Sequence, residues 1–370
     1  MASRLSNFLL RPNLSTLSHV TRAMSSEVLF QHTGKVGLIT LDRQRALNAL
    51  NTSMVEEMTK KLVEWRTDDQ VEVVCIEGAG TKAFCAGGDV VSITKKGEDE
   101  SVALNFFHDE FQMNHMIGTY PKVYVALIHG ITMGGGVGLS VHGKYRVATE
   151  KSLYAMPETA IGYFPDVGGT YFLSRLPQPY GMFLGLSGHR LKGADLKHLG
   201  IATHFTSVDN LPALKADILG SDGSNIESVL SRHEVELSTP FSLDPHADLI
   251  KHCFSADSVP EIISRLQQDS SEFAGKVVKN LLRMSPRSLV LTHRLLSTAL
   301  SKSYEECFTT EFCAAHQIVR SGEFAEGVRA LLVDKDNSPA WNPAKIEDVT
   351  EEMIQEYFVD RTRTWKPLDL

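Results

Sequence analysis

The stretch Gly130–Gly143, "GITMGGGVGLSVHG", sets three consecutive glycines, Gly134 to Gly136, between an apolar run and a helical pattern. Glycine lets a backbone approach a neighbour or a ligand with no Cβ in the way. A strand ending in "ALIHG", a glycine turn and a helix opening near Gly136 would leave free N–H groups in the turn. Those donors and the helix dipole suit a negative charge, or one that develops during a reaction. A further glycine, Gly138, stands just inside the helix, where it costs helix stability and needs a reason of its own.

A second stretch repeats the design. "VEVVCIEGAGTKAFCAGGDVVSI", Val71 to Ile93, reads as a buried strand, a loop, a Gly87–Gly88 turn and a short helix capped near Asp89. Two backbone donors converging from two such turns would form an oxyanion hole. Either motif alone is explained as well by a tight turn; together they point to function.

Outward from these turns, "KVGLITLDR" reads as a strand and "NTSMVEEMTKKLVEWRTD" as an amphipathic helix capped by Asn51 or Thr52. "ALNFFHDEFQMNHMIG" is a helix, "KVYVALIHG" a buried strand, and "YRVATEKSLYAMPE" one or two short strands. Strands and helices in succession predict an α/β core over residues 27–205. Residues 206–340 read as a mainly helical region and 341–370 as a tail. The turn-rich "DKDNSPAWNPAKIEDV" lies outside any obvious core element.

With 370 residues, 42% of them hydrophobic and 22% charged, the chain has the composition of a globular enzyme rather than a disordered or fibrous one. A net charge of -8 argues against a nucleic-acid partner, which usually needs a concentrated basic face. No run approaches the roughly 18–20 apolar residues of a membrane span. Five cysteines without a CxxC pair read as reduced thiols, and the histidines show no metal-ligand spacing, so no metal site is expected. Residues 1–26 carry Arg4, Arg11 and Arg22 with no acid, the composition of a mitochondrial transit peptide and hence of a matrix protein. Two near-motifs fail. "GAGTKA" has no helix opening after it, and "GLSVH" would bury Ser140 within a helix instead of presenting it at a nucleophile elbow.

Taken together, "LDRQRALNAL", "KAFCAGGDV", "ALIHGITMGGGVGLS", "SLYAMPETAIGYFPDVGGTYFLSRL", "SPRSLVLTHRLL" and "EFAEGVRALLVDKDNSPAW" resemble the crotonase (enoyl-CoA hydratase/isomerase) superfamily, over nearly all of the chain after the leader. The resemblance implies a spiral of ββα units followed by a helical C-terminal region. It also implies an acyl-CoA substrate, with CoA as part of that substrate and no separate cofactor. The thioester carbonyl would be polarised by the N–H groups of Gly88 and Gly135, with Lys82 and Ala86 along the CoA. A homo-oligomer is compatible with the resemblance, though the altered C-terminal half does not specify one.

Hydratases of this superfamily pair a glutamate at the position of Gly138 with a second one, which matches Glu158. Here the pair is broken, and "FPDVGG" supplies Asp166 instead. The pattern of Gly138, Glu158 and Asp166, with Glu110 of "FFHDEF" also facing the substrate, resembles the thioester-hydrolysing branch. The implied reaction is hydrolysis of 3-hydroxyisobutyryl-CoA in valine degradation, with 3-hydroxypropionyl-CoA as a further candidate. Glu158 would act as nucleophile or as base on water, and Asp166 would orient the 3-hydroxyl or the water. Two other functions fit parts of the pattern: an enoyl-CoA isomerase or hydratase using Glu158 alone, and a non-catalytic CoA- or RNA-binding scaffold.

Overall fold

The computed structural model describes residues 26–95, 99–361 and 365–370; the expected leader lies almost wholly outside the described residues. The described chain opens with an antiparallel hairpin, β1 (Val28–Thr33) and β2 (Val36–Leu41), that turns at Gly34. The helix α1 (Thr52–Thr67) follows, its N-cap Asn51 accepting from the Met54 N–H at 3.0 Å.

Three turns of a spiral come next, each giving one long and one short strand. The first is β3 (Val73–Gly78) and β4 (Ala83–Cys85), leading to helix α2 (Glu100–Gly118). The second is β5 (Val123–Ile128) and β6 (Ile131–Met133), leading to helix α3 (Gly135–Val141). The third is β7 (Tyr145–Ala148) and β8 (Leu153–Ala155), leading to a 3-10 turn at Glu158–Ile161. With β9 (Leu191–Lys192) and β10 (His204–Phe205), the strands form two sheets, ordered β1-β2-β3-β5-β7-β10 and β4-β6-β8-β9. All pairs are parallel except β1–β2 and β8–β9.

The long strands read as unbroken apolar runs because both of their faces are buried. Successive side chains point to opposite faces. Thus Ile39, Val74, Ile76, Ala126 and Ile128 join the main core, while Leu38, Val73, Cys75, Val125 and Leu127 face a second one. That second core is closed by Leu214, Ile218, Ile226 and Val229 of the helices Leu211–Leu219 and Ile226–Arg232.

Beyond Phe205 the described residues form helices and no strand. Two of these helices back the site: α4 (Pro286–Ala299) and α5 (Tyr304–Ser321), the latter opened by a Ser303/Glu306 capping box. The C-terminal tail departs from the sequence expectation. Residues 334–340 are largely exposed, but Ile346, Ile354 and Tyr357 are buried in the main core, and Arg294 holds Glu351 through two bonds of 2.9 and 2.8 Å. Three apolar residues spaced across a polar segment dock it without any periodic signal. No helix among the described residues is long and apolar enough to cross a membrane.

Candidate active site

The first glycine turn is held by the loop after β2. Leu50 donates to the Gly87 carbonyl at 2.8 Å, Asp89 donates back to Leu50 at 2.7 Å, and Ala86 donates to Leu47 at 3.1 Å. Asn48, buried in that loop, donates to the Ala79 and Ala83 carbonyls at 3.1 and 2.9 Å. Arg43 pairs with Asp89 at 2.7 Å. The "LDRQRALNAL" stretch thus acts as a brace. It leaves the Gly88 N–H with no acceptor among the described residues.

In the second turn each glycine of the triplet meets a different constraint. Gly134 has φ 48, and a Cβ there would lie 2.9 Å from Glu158 Oε1. A Cβ on Gly135 would fall 2.3 Å from Glu110 Oε1 and 3.4 Å from the Gly88 nitrogen. One on Gly136 would strike the Cys85 carbonyl at 2.2 Å, so α3 could not seat on β4. The Gly135 N–H, like that of Gly88, has no acceptor among the described residues. The two turns touch, and their free donors border one cavity.

That cavity has a volume of about 360 Å³, and Ala86, Gly88, Glu110, Gly135, Glu158 and Asp166 all line it. Glu110, expected from the resemblance to face the substrate, is 2% exposed. Lys82 is not brought to this cavity. It lines a neighbouring one of about 330 Å³, with Arg45 and Gly80, at the far end of β4 from Ala86.

Burial dominates the electrostatics. It raises Glu110 and Glu158 each to about 8, and Asp166 well above the usual carboxylate range, where the charges of Glu110, Glu158 and Glu311 push it further. Glu110 Oε1 and Glu158 Oε2 are buried without a protein partner among the described residues, as is the Tyr163 hydroxyl beside them. Buried polar atoms are normally satisfied, so three orphans in one cavity mark a place built for a polar guest. Among the described residues, no three His, Cys, Asp or Glu side chains gather as a metal site would require.

Gly138 now has its explanation. A Cβ there would lie 2.7 Å from the Val167 Cβ and 2.8 Å from Asn114 Nδ2. The space a glutamate would need is taken up by α2 and by the turn after Asp166. Gly138→Glu is therefore expected to destabilise the fold by about 1–3 kcal/mol or more through overpacking, without creating hydratase activity. A thermal melt and an enoyl-CoA hydration assay check this.

Sequence reasoning missed three contributors. Tyr163 lies five residues after Glu158 and brings its ring to the cavity, stacked on Phe107 at 5.1 Å. Arg190 reaches the cavity from the segment before β9. Glu311, on α5, is fully buried and bonds to the turn that follows Asp166. Only Glu311 had a visible signal: a lone acid among Phe308, Phe312 and Ala315 on what is otherwise an apolar helix face.

The enoyl-CoA hydratase/isomerase family model matches residues 36–358. The mitochondrial 3-hydroxyisobutyryl-CoA hydrolase of Homo sapiens is 48% identical over 343 residues, which span 90% of this chain and 89% of that one. Its counterpart from Danio rerio is 46% identical over 341 residues, with the same shares covered. Among solved structures, a carnitinyl-CoA dehydratase from Mycobacterium thermoresistibile superposes with a TM-score of 0.86 at 37% identity, covering 91% of this chain and 98% of its own. An enoyl-CoA hydratase from Rhodobacter sphaeroides 2.4.1 also gives 0.86, at 34% identity, covering 93% and 100%. With its fold, its paired glycine turns and nearly its whole described length matched, the chain belongs to the enoyl-CoA hydratase/isomerase family.

Proposed function

We propose that this protein hydrolyses the thioester of 3-hydroxyisobutyryl-CoA to 3-hydroxyisobutyrate and CoA, as a step of valine degradation in the mitochondrial matrix. One observation carries the reading: two unspent backbone donors and Glu158 share a cavity whose second hydratase carboxylate is replaced by Gly138 and blocked by Asn114 and Val167. The names of the relatives from Homo sapiens and Danio rerio, both mitochondrial 3-hydroxyisobutyryl-CoA hydrolases, support the substrate and the mitochondrion.

The thioester oxygen sits between the Gly88 and Gly135 N–H groups, which stabilise the negative charge that gathers there as the carbonyl is attacked. Glu158 attacks the carbonyl carbon to give a mixed anhydride that water then cleaves, or it takes a proton from the attacking water. In both cases CoA leaves as thiolate and is protonated. Asp166 binds the 3-hydroxyl, and Glu110 lines the same cavity. CoA lies along β4, from Ala86 towards Lys82 and Arg45. The reaction calls for no metal and no separate cofactor.

Both routes need Glu158 ionised, and burial holds it at about 8. Activity is therefore expected to rise with pH through that region. The charge of Glu110 adds to the burial that raises Glu158. A profile of kcat/KM from pH 6 to 10 checks this; a fall over the range would remove Glu158 from the base or nucleophile role.

Asp166→Asn keeps a polar group but disturbs the hydrogen bond to the substrate hydroxyl, and leaving that hydroxyl unpaired in the cavity costs about 1–3 kcal/mol. It should slow 3-hydroxyisobutyryl-CoA much more than isobutyryl-CoA, which lacks the hydroxyl. Equal slowing of both, in steady-state kinetics, would place Asp166 in the hydrolytic machinery instead.

A further inference from the structure

Glu311 has no solvent exposure, an unusual place for a carboxylate. Its Oε2 accepts the Gly168 N–H at 2.8 Å, and its Oε1 accepts the Thr170 N–H at 2.9 Å and the Thr170 hydroxyl at 2.5 Å. These donors begin two residues after Asp166. In the same turn, His142 Nε2 lies 2.7 Å from the Val167 carbonyl. Burial lowers that imidazole to about 4, so at neutral pH the ring is uncharged and its Nε2 carries the donated proton. Val167 itself has φ 55, a left-handed conformation that a β-branched residue rarely adopts. Strained backbone of this kind persists only where its surroundings over-determine it. Here a carboxylate from α5 and an imidazole following α3 hold the turn at adjoining residues.

We infer that Glu311 is a positioning residue that clamps the Val167–Thr170 turn, aims Asp166 at the substrate 3-hydroxyl, and so sets the preference for 3-hydroxyacyl over plain acyl thioesters. The inference deepens the proposed function and rests on its reading of Asp166. A carboxylate suits the task because both of its oxygens accept, and the turn offers only donors. A glutamine at the same place would turn an NH2 group towards one of those N–H groups.

The test measures kcat/KM for 3-hydroxyisobutyryl-CoA and isobutyryl-CoA in the full-length protein and in Glu311→Gln, Asp166→Asn and the double variant. Glu311→Gln is expected to lower the value for the hydroxylated substrate by about ten- to hundredfold, and that for isobutyryl-CoA by less than about threefold. In the Asp166→Asn background it should change the ratio of the two no further. Equal losses on both substrates, or an undiminished effect in that background, would overturn the clamp. Should Glu311→Gln fail to fold, Thr170→Val decides, because it removes only the 2.5 Å bond. It should shift the ratio in the same direction by a smaller factor, and an unchanged ratio would overturn the inference. If Asp166→Asn slows both substrates alike, the reading of Asp166 fails and the inference falls with it. If Asp166→Asn is selective and Glu311→Gln is not, the clamp alone is wrong.

Discussion

Glu158→Gln is expected to lower kcat by several orders of magnitude with every acyl-CoA, while the affinity for CoA changes little. Glutamine keeps the size and much of the hydrogen bonding of the side chain but can neither attack a carbonyl nor take a proton from water. A loss confined to kcat marks an interaction that acts in the transition state and not in binding. The same substitution should raise stability at alkaline pH. With its folded value at about 8 against an ordinary 4.5, Glu158 binds its proton more tightly in the folded chain. Its favourable contribution is complete below about pH 4.5 and is lost as pH rises through 8. Glutamine does not titrate, so the variant escapes that loss. By pH 9 it should be more stable than the parent by up to a few kcal/mol, an order of magnitude set by the size of the shift. Steady-state kinetics and thermal melts at pH 6 and 9 read both effects. A variant that keeps a tenth of the parent kcat would end the assignment of Glu158 as the reacting group.

The second large effect belongs to Gly135. Gly135→Ala retains the N–H but sets a methyl group 2.3 Å from Glu110 Oε1, which must swing aside into the acyl space. Gly135→Pro removes the N–H altogether. Loss of one oxyanion donor costs on the order of 10²–10³ in rate. Both variants should fall at least that far, and alanine shows whether room alone matters. Because proline also stresses the turn, each variant needs a circular dichroism spectrum and a melting curve matching a folded protein. Near-normal hydrolysis by a folded Gly135→Pro would move the oxyanion site elsewhere.

Much of the candidate site could be read in the sequence because the donors proposed for it are backbone groups, and only glycine permits the approach they need. The triplet at 134–136 and the pair at 87–88 advertise themselves for that reason, and the apolar runs of β3 and β5 announce strands buried on both faces. Gly138 was visible as a missing carboxylate, but its cause was not. The clash with Val167 and Asn114 arises between segments that lie 24 and 29 residues apart in the chain (138 − 114 and 167 − 138). Glu311 was hidden by distance, its contacts running 141 to 143 residues back along the chain. Lys82 and Ala86 were read together along the CoA, and the three residues of β4 between them set the two at different cavities. The docking of the tail through Ile346, Ile354 and Tyr357 depends on tertiary burial, which a polar and aperiodic segment does not announce.

Thiol release measured with purified protein and a small panel of substrates tests the central claim most directly: 3-hydroxyisobutyryl-CoA, 3-hydroxypropionyl-CoA, isobutyryl-CoA and an enoyl-CoA. Cleavage of a thioester frees one CoA thiol per turnover, whereas hydration or isomerisation frees none. The expected result is rapid thiol release from the 3-hydroxyacyl substrates, slower release from isobutyryl-CoA, and no loss of enoyl absorbance beyond background. Steady loss or migration of the enoyl double bond, with no thiol released from any 3-hydroxyacyl-CoA, would contradict it.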